Sequence, residues 1–290
     1  MLSFIATCCS FNVHSCAPHL LWRRAPMPVM GIPGFVTWLE QASPEAVVAV
    51  PAETPREADV VAFDMNGLLH SALRSSRDED EAILRVFQML HANLKSVRPR
   101  STVLLAIDGA APLAKMETQR KRRVSTSNRQ ERKKRGVSAL CATPGTRFMG
   151  ALEAALVYWC CAELSTQRAR HLTFELSGSD VPGEGEVKIL EWILARGEER
   201  CGKIAIIGGD GDLVLQALTL SASSMFVLRE APRKKDAGVG VCVMALRASL
   251  ASARGLTLPL TLDDLEALAC FTLMGNDYLP KVKEVSLCLT

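Results

Sequence analysis

The chain alternates short apolar-rich runs with longer stretches in which apolar residues recur at helical spacing. Val60–Phe63, Thr102–Ile107, Leu172–Leu176, Ile204–Ile207 and Met225–Leu228 are the runs, and each predicts a buried strand. Over residues 80–95, Ile83, Val86, Phe87, Leu90 and Leu94 fall on one helical face. Thr143-Pro-Gly-Thr146 opens a second predicted helix, whose apolar face runs through Phe148, Leu152, Leu156 and Trp159. Pro182-Gly-Glu-Gly-Glu186 starts another, to about Ala195, and residues 262–274 suggest one that ends at Gly275-Asn-Asp277. Residues 113–135 read as a strongly basic helix, and Met30–Leu39 as a turn leading into a short helix. Pro51–Asp59 and residues 230–240 read as loops, from their Pro, Gly and charge content. Strand and helix alternating in this way predict an α/β fold with a mostly parallel central sheet and helices on both faces.

Composition narrows the classes. With 290 residues and 48% apolar content, the chain can bury a full core. A formal charge of only +3 means that any nucleic-acid site is a local patch. The ten cysteines include adjacent pairs, Cys8-Cys9 and Cys160-Cys161, but no CxxC spacing. Reduced thiols in an intracellular compartment are the reading that follows. No apolar run approaches a membrane span. Residues 1–29 contain no acid, carry Arg23 and Arg24, and hold an apolar run at Leu2–Ala6. They read as an N-terminal extension, disordered or preceding a start at Met30; a mitochondrial transit peptide is the alternative. Residues 30–290 form the globular part.

The chemistry gathers at strand ends. Ile204–Ile207 runs into Gly208-Gly-Asp-Gly-Asp212, which sets two carboxylates one residue apart. Asp210 and Asp212 repel each other unless a cation lies between them. A lone Asp-Gly-Asp is more simply a turn followed by a helix cap. Here, however, an apolar run ends in an acid three times, at Asp64, Asp108 and Asp210. Glu184 and Glu186 flank a glycine at a helix start, and Asp277 follows a helix. With Asp212 these make seven acids at element ends near glycine. Such a set suits hard divalent cations such as Mg²⁺. Two ions about 4 Å apart can hold an attacking water and a scissile phosphate. The absence of a histidine cluster argues against zinc.

A second constellation lies in the basic helix. Lys115, Gln119, Arg122 and Arg123 sit at i, i+4, i+7 and i+8, on one stripe. Cations with one amide suit a terminal phosphate; a solvated basic face or a localisation signal is the other reading. His70 is either a core histidine or a ring for stacking on a base.

The motifs in order resemble the catalytic segment of the 5′→3′ exoribonuclease (XRN) family. They are Met30-Gly-Ile-Pro, Phe63-Asp-Met-Asn-Gly-Leu-Leu-His70, Asp108-Gly-Ala-Ala-Pro-Leu-Ala-Lys-Met116, Gln119 with Arg122-Arg123, and Thr143-Pro-Gly-Thr-Arg-Phe-Met149. Val181-Pro-Gly-Glu-Gly-Glu186, Gly209-Asp-Gly-Asp-Leu213 and Gly275-Asn-Asp-Tyr-Leu-Pro280 complete the set. The resemblance implies a PIN/flap-nuclease-like domain that degrades 5′-monophosphorylated single-stranded RNA to mononucleotides. Capped or triphosphate ends would be rejected on size. It implies two Mg²⁺ ions, with Mn²⁺ as a substitute, held by the catalytic acids Asp64, Asp108, Glu184, Glu186, Asp210, Asp212 and Asp277. It also implies a 5′-phosphate pocket of Lys115, Gln119, Arg122 and Arg123, and base stacking by His70. Both cytoplasmic and nuclear locations fit, and no membrane is involved.

Family members continue well past the Gly-Asn-Asp motif. The chain ends at Thr290, so 30–290 reads as an XRN N-terminal nuclease domain truncated on its C-terminal side, for which a protein partner could supply the rest. Two other functions stay open: a flap-type structure-specific endonuclease, and a truncated, non-catalytic RNA-binding homologue. A DxD phosphatase fits poorly, because Asn66 stands where its second Asp is needed.

Overall fold

The computed structural model describes residues 39, 41–50, 55–132, 137–208, 211–220, 224–228 and 238–255. The extension 1–29, the Met30–Pro33 motif, the helix expected over 262–274, and both Asp210 and Asp277 lie outside the described residues.

Seven strands form one sheet among the described residues. They are β1 (Val47–Val50), β2 (Arg56–Asp64), β3 (Val97–Ala106), β4 (Thr173–Ser177), β5 (Lys203–Ile207), β6 (Ser224–Leu228) and β7 (Gly238–Cys242). Their order across the sheet is β1-β7-β6-β5-β2-β3-β4. The five strands from β6 to β4 are parallel; β7 pairs antiparallel to β6, and β1 antiparallel to β7. The helices are α1 (Met65–Ser75), α2 (Glu79–Ser96), α3 (Leu113–Arg132), α4 (Arg147–Leu164), α5 (Gly185–Arg196), α6 (Gly211–Leu218) and α7 (Val243–Arg254).

The period-two alternation of strand side chains sorts the core into two layers. In β2, Val60 and Ala62 face one side, where Leu104, Ala106, Ile204 and Ile206 meet Ile189 and Ile193 of α5, Leu213 and Val214 of α6, and Leu246 of α7. Val61 and Phe63 face the other, where Val103, Leu105, Ala205 and Ile207 meet Leu68 and Leu69 of α1, Leu90 of α2, and Leu152 and Leu156 of α4. A strand buried on both faces must be apolar throughout, which is why these runs stand out in the sequence. Local caps set the helix starts: Thr146 Oγ1 accepts from Met149 N at 3.4 Å, and Asp78 Oδ1 from Glu81 N at 2.8 Å.

Two expected loops are corrected. β2 begins at Arg56 and pairs with Val97, so the second half of the predicted loop 51–59 is strand. The predicted loop 230–240 gives way to β7 from Gly238 onward; residues 229–237 lie outside the described residues. Gly240 marks a close approach, since a Cβ there would lie 2.2 Å from Leu228 Cδ2. β1 and α7 were not anticipated.

The strand order fixes the site. β5, β2 and β3 are adjacent and parallel, so their carboxyl ends lie side by side, about 5 Å between neighbours. Asp64 is the last residue of β2, Asp108 lies two residues past β3, and Gly208 follows β5 directly. That edge is where open parallel sheets place their ligands.

Candidate active site

The described acids come from four separate segments. Asp64 closes β2 and also caps α1, accepting from Asn66 N at 3.2 Å, so its role as a simple cap is fulfilled. Asp108 reaches across to α5, where its Oδ1 accepts from Gly185 N at 2.7 Å. Glu184 and Glu186 straddle that same helix start and are both buried. Asp212 lies in the first turn of α6.

Gly185 is the pivot of the arrangement. A Cβ on it would lie 2.7 Å from Asp64 Oδ1, 2.9 Å from the Ala106 carbonyl oxygen and 3.3 Å from Asp108 Oδ1. Only glycine lets the helix start pass between the two carboxylates. Gly185→Ala is expected to push α5 away from the sheet edge and lower stability by about 1–3 kcal/mol. The midpoint of urea unfolding measures this, and an unchanged midpoint would show that the edge has room to spare.

Each described acid has a neighbour to answer it. Glu184 Oε2 accepts from Lys115 Nζ at 2.6 Å in a buried ion pair. Glu186 Oε1 accepts from Gln216 Nε2 at 2.9 Å. Lys188, buried one turn along α5, donates to the carbonyls of Ile107 at 2.7 Å and Gly178 at 2.8 Å. It thereby fastens α5 to the ends of β3 and β4. Burial lowers its ammonium from the ordinary lysine value. The loops on either side are zipped together, Gly109 N to Gly183 O at 2.8 Å and Gly183 N to Ala110 O at 3.0 Å.

The carboxylates crowd one another electrostatically. Burial pushes Asp108 above the usual carboxylate range and Glu184 adds to the rise, while the Gly185 N–H opposes it. Burial pushes Glu186 up to about 8; Gln216 opposes this, and Glu184 and Asp212 reinforce it. A positive charge brought beside them would favour their ionised forms. Among the described residues, no group of three closes on a point that would hold a metal ion. Instead Asp64, Asp108, Glu184 and Glu186 each turn an oxygen to a local donor. As a donor set they are carboxylate oxygens, the chemistry that hard divalent cations take.

The basic stripe opens onto the same place. Asp108, Lys115, Gln119, Arg123, His70 and Asn66 line one pocket, closed on its far wall by Leu140, Ala142, Thr143 and Pro144. Arg123 Nη2 donates to Gln119 Oε1 at 3.1 Å. The side chain of Arg122 lies outside the described residues. His70 is half-buried, and burial, then the nearby Arg74, lowers its imidazole below the usual histidine value. A neutral ring on a pocket wall is suited to stacking. Lys115 is where the two constellations touch, since it lines the pocket and pairs with Glu184.

Sequence reading passed over two polar residues here, Lys188 and Gln216. A signal for Gln216 was present: it interrupts the apolar run Leu213-Val-Leu-Gln-Ala-Leu218 four residues after Asp212, on the same helical face. Lys188, two residues past Glu186, carried no comparable signal.

Comparison with known proteins identifies the relatives of the chain. Human 5′-3′ exoribonuclease 1 is 30% identical over 229 residues, covering 70% of this chain and 13% of the relative. The 5′-3′ exoribonuclease 2 of Neurospora crassa is 30% identical over 271 residues, covering 73% of this chain and 25% of the relative. That of Saccharomyces cerevisiae is 30% identical over 257 residues, with 69% and 25% covered. The chain thus spans a quarter or less of the length of these relatives. In fold it is similar to the catalytic core of Rad2 in complex with a DNA substrate, at a TM-score of 0.52 and 17% identity over 88% of this chain and 65% of that one. It is likewise similar to human GEN1 bound to Holliday junction DNA, at 0.51 and 16% identity over 88% and 52%. Among the described residues, no helix is long and apolar enough to cross a membrane. Residues 30–231, which carry the β2, β3 and β5 strand ends, the basic helix and the start of α5, match the family described as XRN 5′-3′ exonuclease N-terminus, and the chain belongs to that family.

Proposed function

We propose that the chain is a 5′→3′ exoribonuclease that removes mononucleotides one at a time from 5′-monophosphorylated single-stranded RNA. The observation that carries this reading is the shared pocket, where an acid of the sheet edge, Asp108, and three members of the basic stripe, Lys115, Gln119 and Arg123, form one wall system. A nuclease that counts from an end needs a socket for that end within one nucleotide of its chemistry. Lys115 meets the terminal phosphate as a point charge, and Arg123 and Arg122 as forked donors. The hydrogen bond from Arg123 Nη2 to Gln119 Oε1 supports this role. His70 stacks on the first base.

Asp64, Asp108, Glu184, Glu186, Asp210, Asp212 and Asp277 would hold two Mg²⁺ ions, or Mn²⁺ in their place, and the ions would supply water activation and charge neutralisation at the scissile phosphate. With a cation on Glu184, Lys115 would be freed from its ion pair to meet the incoming phosphate. Lys188 keeps the β3 and β4 ends fixed meanwhile.

The test compares decay of RNA carrying a 5′-phosphate with RNA carrying a 5′-hydroxyl, across a Mg²⁺ titration. The phosphorylated substrate is expected to decay faster and only with the cation. Arg123→Ala is expected to narrow the preference about tenfold, the scale of one charge-assisted hydrogen bond. An unaltered ratio would remove Arg123 from the socket, and decay unaffected by EDTA would remove the metal reading.

A further inference from the structure

Helix α6 is apolar on its core side, with Leu213, Val214, Ala217 and Leu218 buried. After its first residue it has two polar positions, Asp212 and Gln216, and their spacing puts them on one stripe. Gln216 Nε2 donates to Glu186 Oε1 at 2.9 Å, which ties α6 to the first turn of α5. Because the amide nitrogen is the atom bonded to Glu186, the amide oxygen turns away from it. That oxygen is buried and, among the described residues, has no hydrogen-bond partner. A buried, unpaired amide oxygen is destabilising, and leucine would complete the apolar run of this helix without it. Among the described residues this acceptor therefore has no donor, and its side chain lies on the stripe of Asp212.

We infer that Gln216 is a positioning residue of the cation site: its nitrogen orients Glu186, and its oxygen is an acceptor for the hydration shell of the bound cation. This rests on the metal reading above and extends it to an uncharged side chain. Partners of this kind behind a ligand typically change cation affinity about 10–100-fold.

Cation binding can be read without RNA, as the midpoint of the rise in melting temperature of the full chain during a Mn²⁺ titration. Gln216→Leu is expected to melt in EDTA at or above the wild-type temperature, because the unpaired oxygen is gone. Its Mn²⁺ midpoint is expected to rise about 10–100-fold. Asp212→Asn is the reference for loss of a direct ligand. If Asp212→Asn moves the midpoint and Gln216→Leu leaves it at the wild-type value, the Gln216 assignment is overturned while the metal reading stands. If the wild-type chain shows no rise with Mn²⁺, both are overturned. A leucine variant that melts lower in EDTA with an unmoved midpoint has lost packing alone, which also overturns the assignment. Should Gln216→Leu fail to fold, Gln216→Met, unbranched and of similar length, is read in the same way.

Discussion

Asp108→Asn is expected to reduce Mg²⁺-dependent cleavage of 5′-phosphorylated RNA by about 10³-fold while leaving the fold intact. Asparagine has nearly the same shape and keeps an oxygen to accept from Gly185 N, the contact that holds the β3 end against α5. What it loses is the negative charge. In the absence of a cation that charge is a burden, since burial and Glu184 both oppose its ionisation. The variant should therefore melt in EDTA at the wild-type temperature or higher. With Mg²⁺ present the sign reverses, because the cation has lost a ligand, and the metal-induced rise in melting temperature should shrink. Rate measurements with saturating RNA, paired with melting curves in EDTA and in Mg²⁺, check both halves. Cleavage at the wild-type rate would take Asp108 out of the chemistry.

Lys115→Met should produce the other large effect, and it should appear in two places. Lys115 and Glu184 are both buried, and removing one member of such a pair costs about 3–5 kcal/mol. The Glu184 carboxylate is then left at a buried helix start without this ammonium. Cations that bind Glu184 take over part of that work, so the loss measured in EDTA should be smaller in Mg²⁺. In catalysis, the preference for a 5′-phosphate over a 5′-hydroxyl end should fall about 10–100-fold, the range of a charge-assisted contact to phosphate. Denaturant midpoints in the two buffers and decay rates on the two substrates are the measurements. A destabilisation equal in EDTA and Mg²⁺ would mean that Lys115 and the cation do not compete for Glu184.

Much of this was legible in the sequence, for physical reasons that differ from element to element. The parallel strands were visible because Val60–Phe63 and Ile204–Ile207 are buried on both faces and so have no polar positions to blur the pattern. α2 and α4 were visible because Val86 and Leu90, or Leu152 and Leu156, repeat at four residues along one face. β7 was hidden because Gly238 and Gly240 read as loop formers. In the fold, Gly240 serves close packing on Leu228, which only the tertiary contact reveals. β1 was hidden because it is an edge strand of four residues whose pairing partner, β7, lies nearly 200 residues later.

The site divides in the same way. An acid near glycine at the end of a strand or the start of a helix can be read locally, so Asp64, Asp108, Glu184, Glu186 and Asp212 stand out in the sequence. Which acid turns to which partner could not be read, because the pairs Lys115–Glu184 and Gln216–Glu186 join segments 69 and 30 residues apart. Helical spacing put Lys115 and Gln119 on one stripe. It did not show that Lys115 faces inward to an acid while Arg123 is exposed.

Single-stranded RNA bearing a labelled 5′-phosphate, incubated with the full chain and Mg²⁺ and resolved by length, puts the coupling of acids and socket to the sharpest test. If the end is held beside the acids, the label appears from the first time point in mononucleotides alone, and EDTA prevents its release. Labelled fragments several nucleotides long, or release that EDTA leaves untouched, would contradict it.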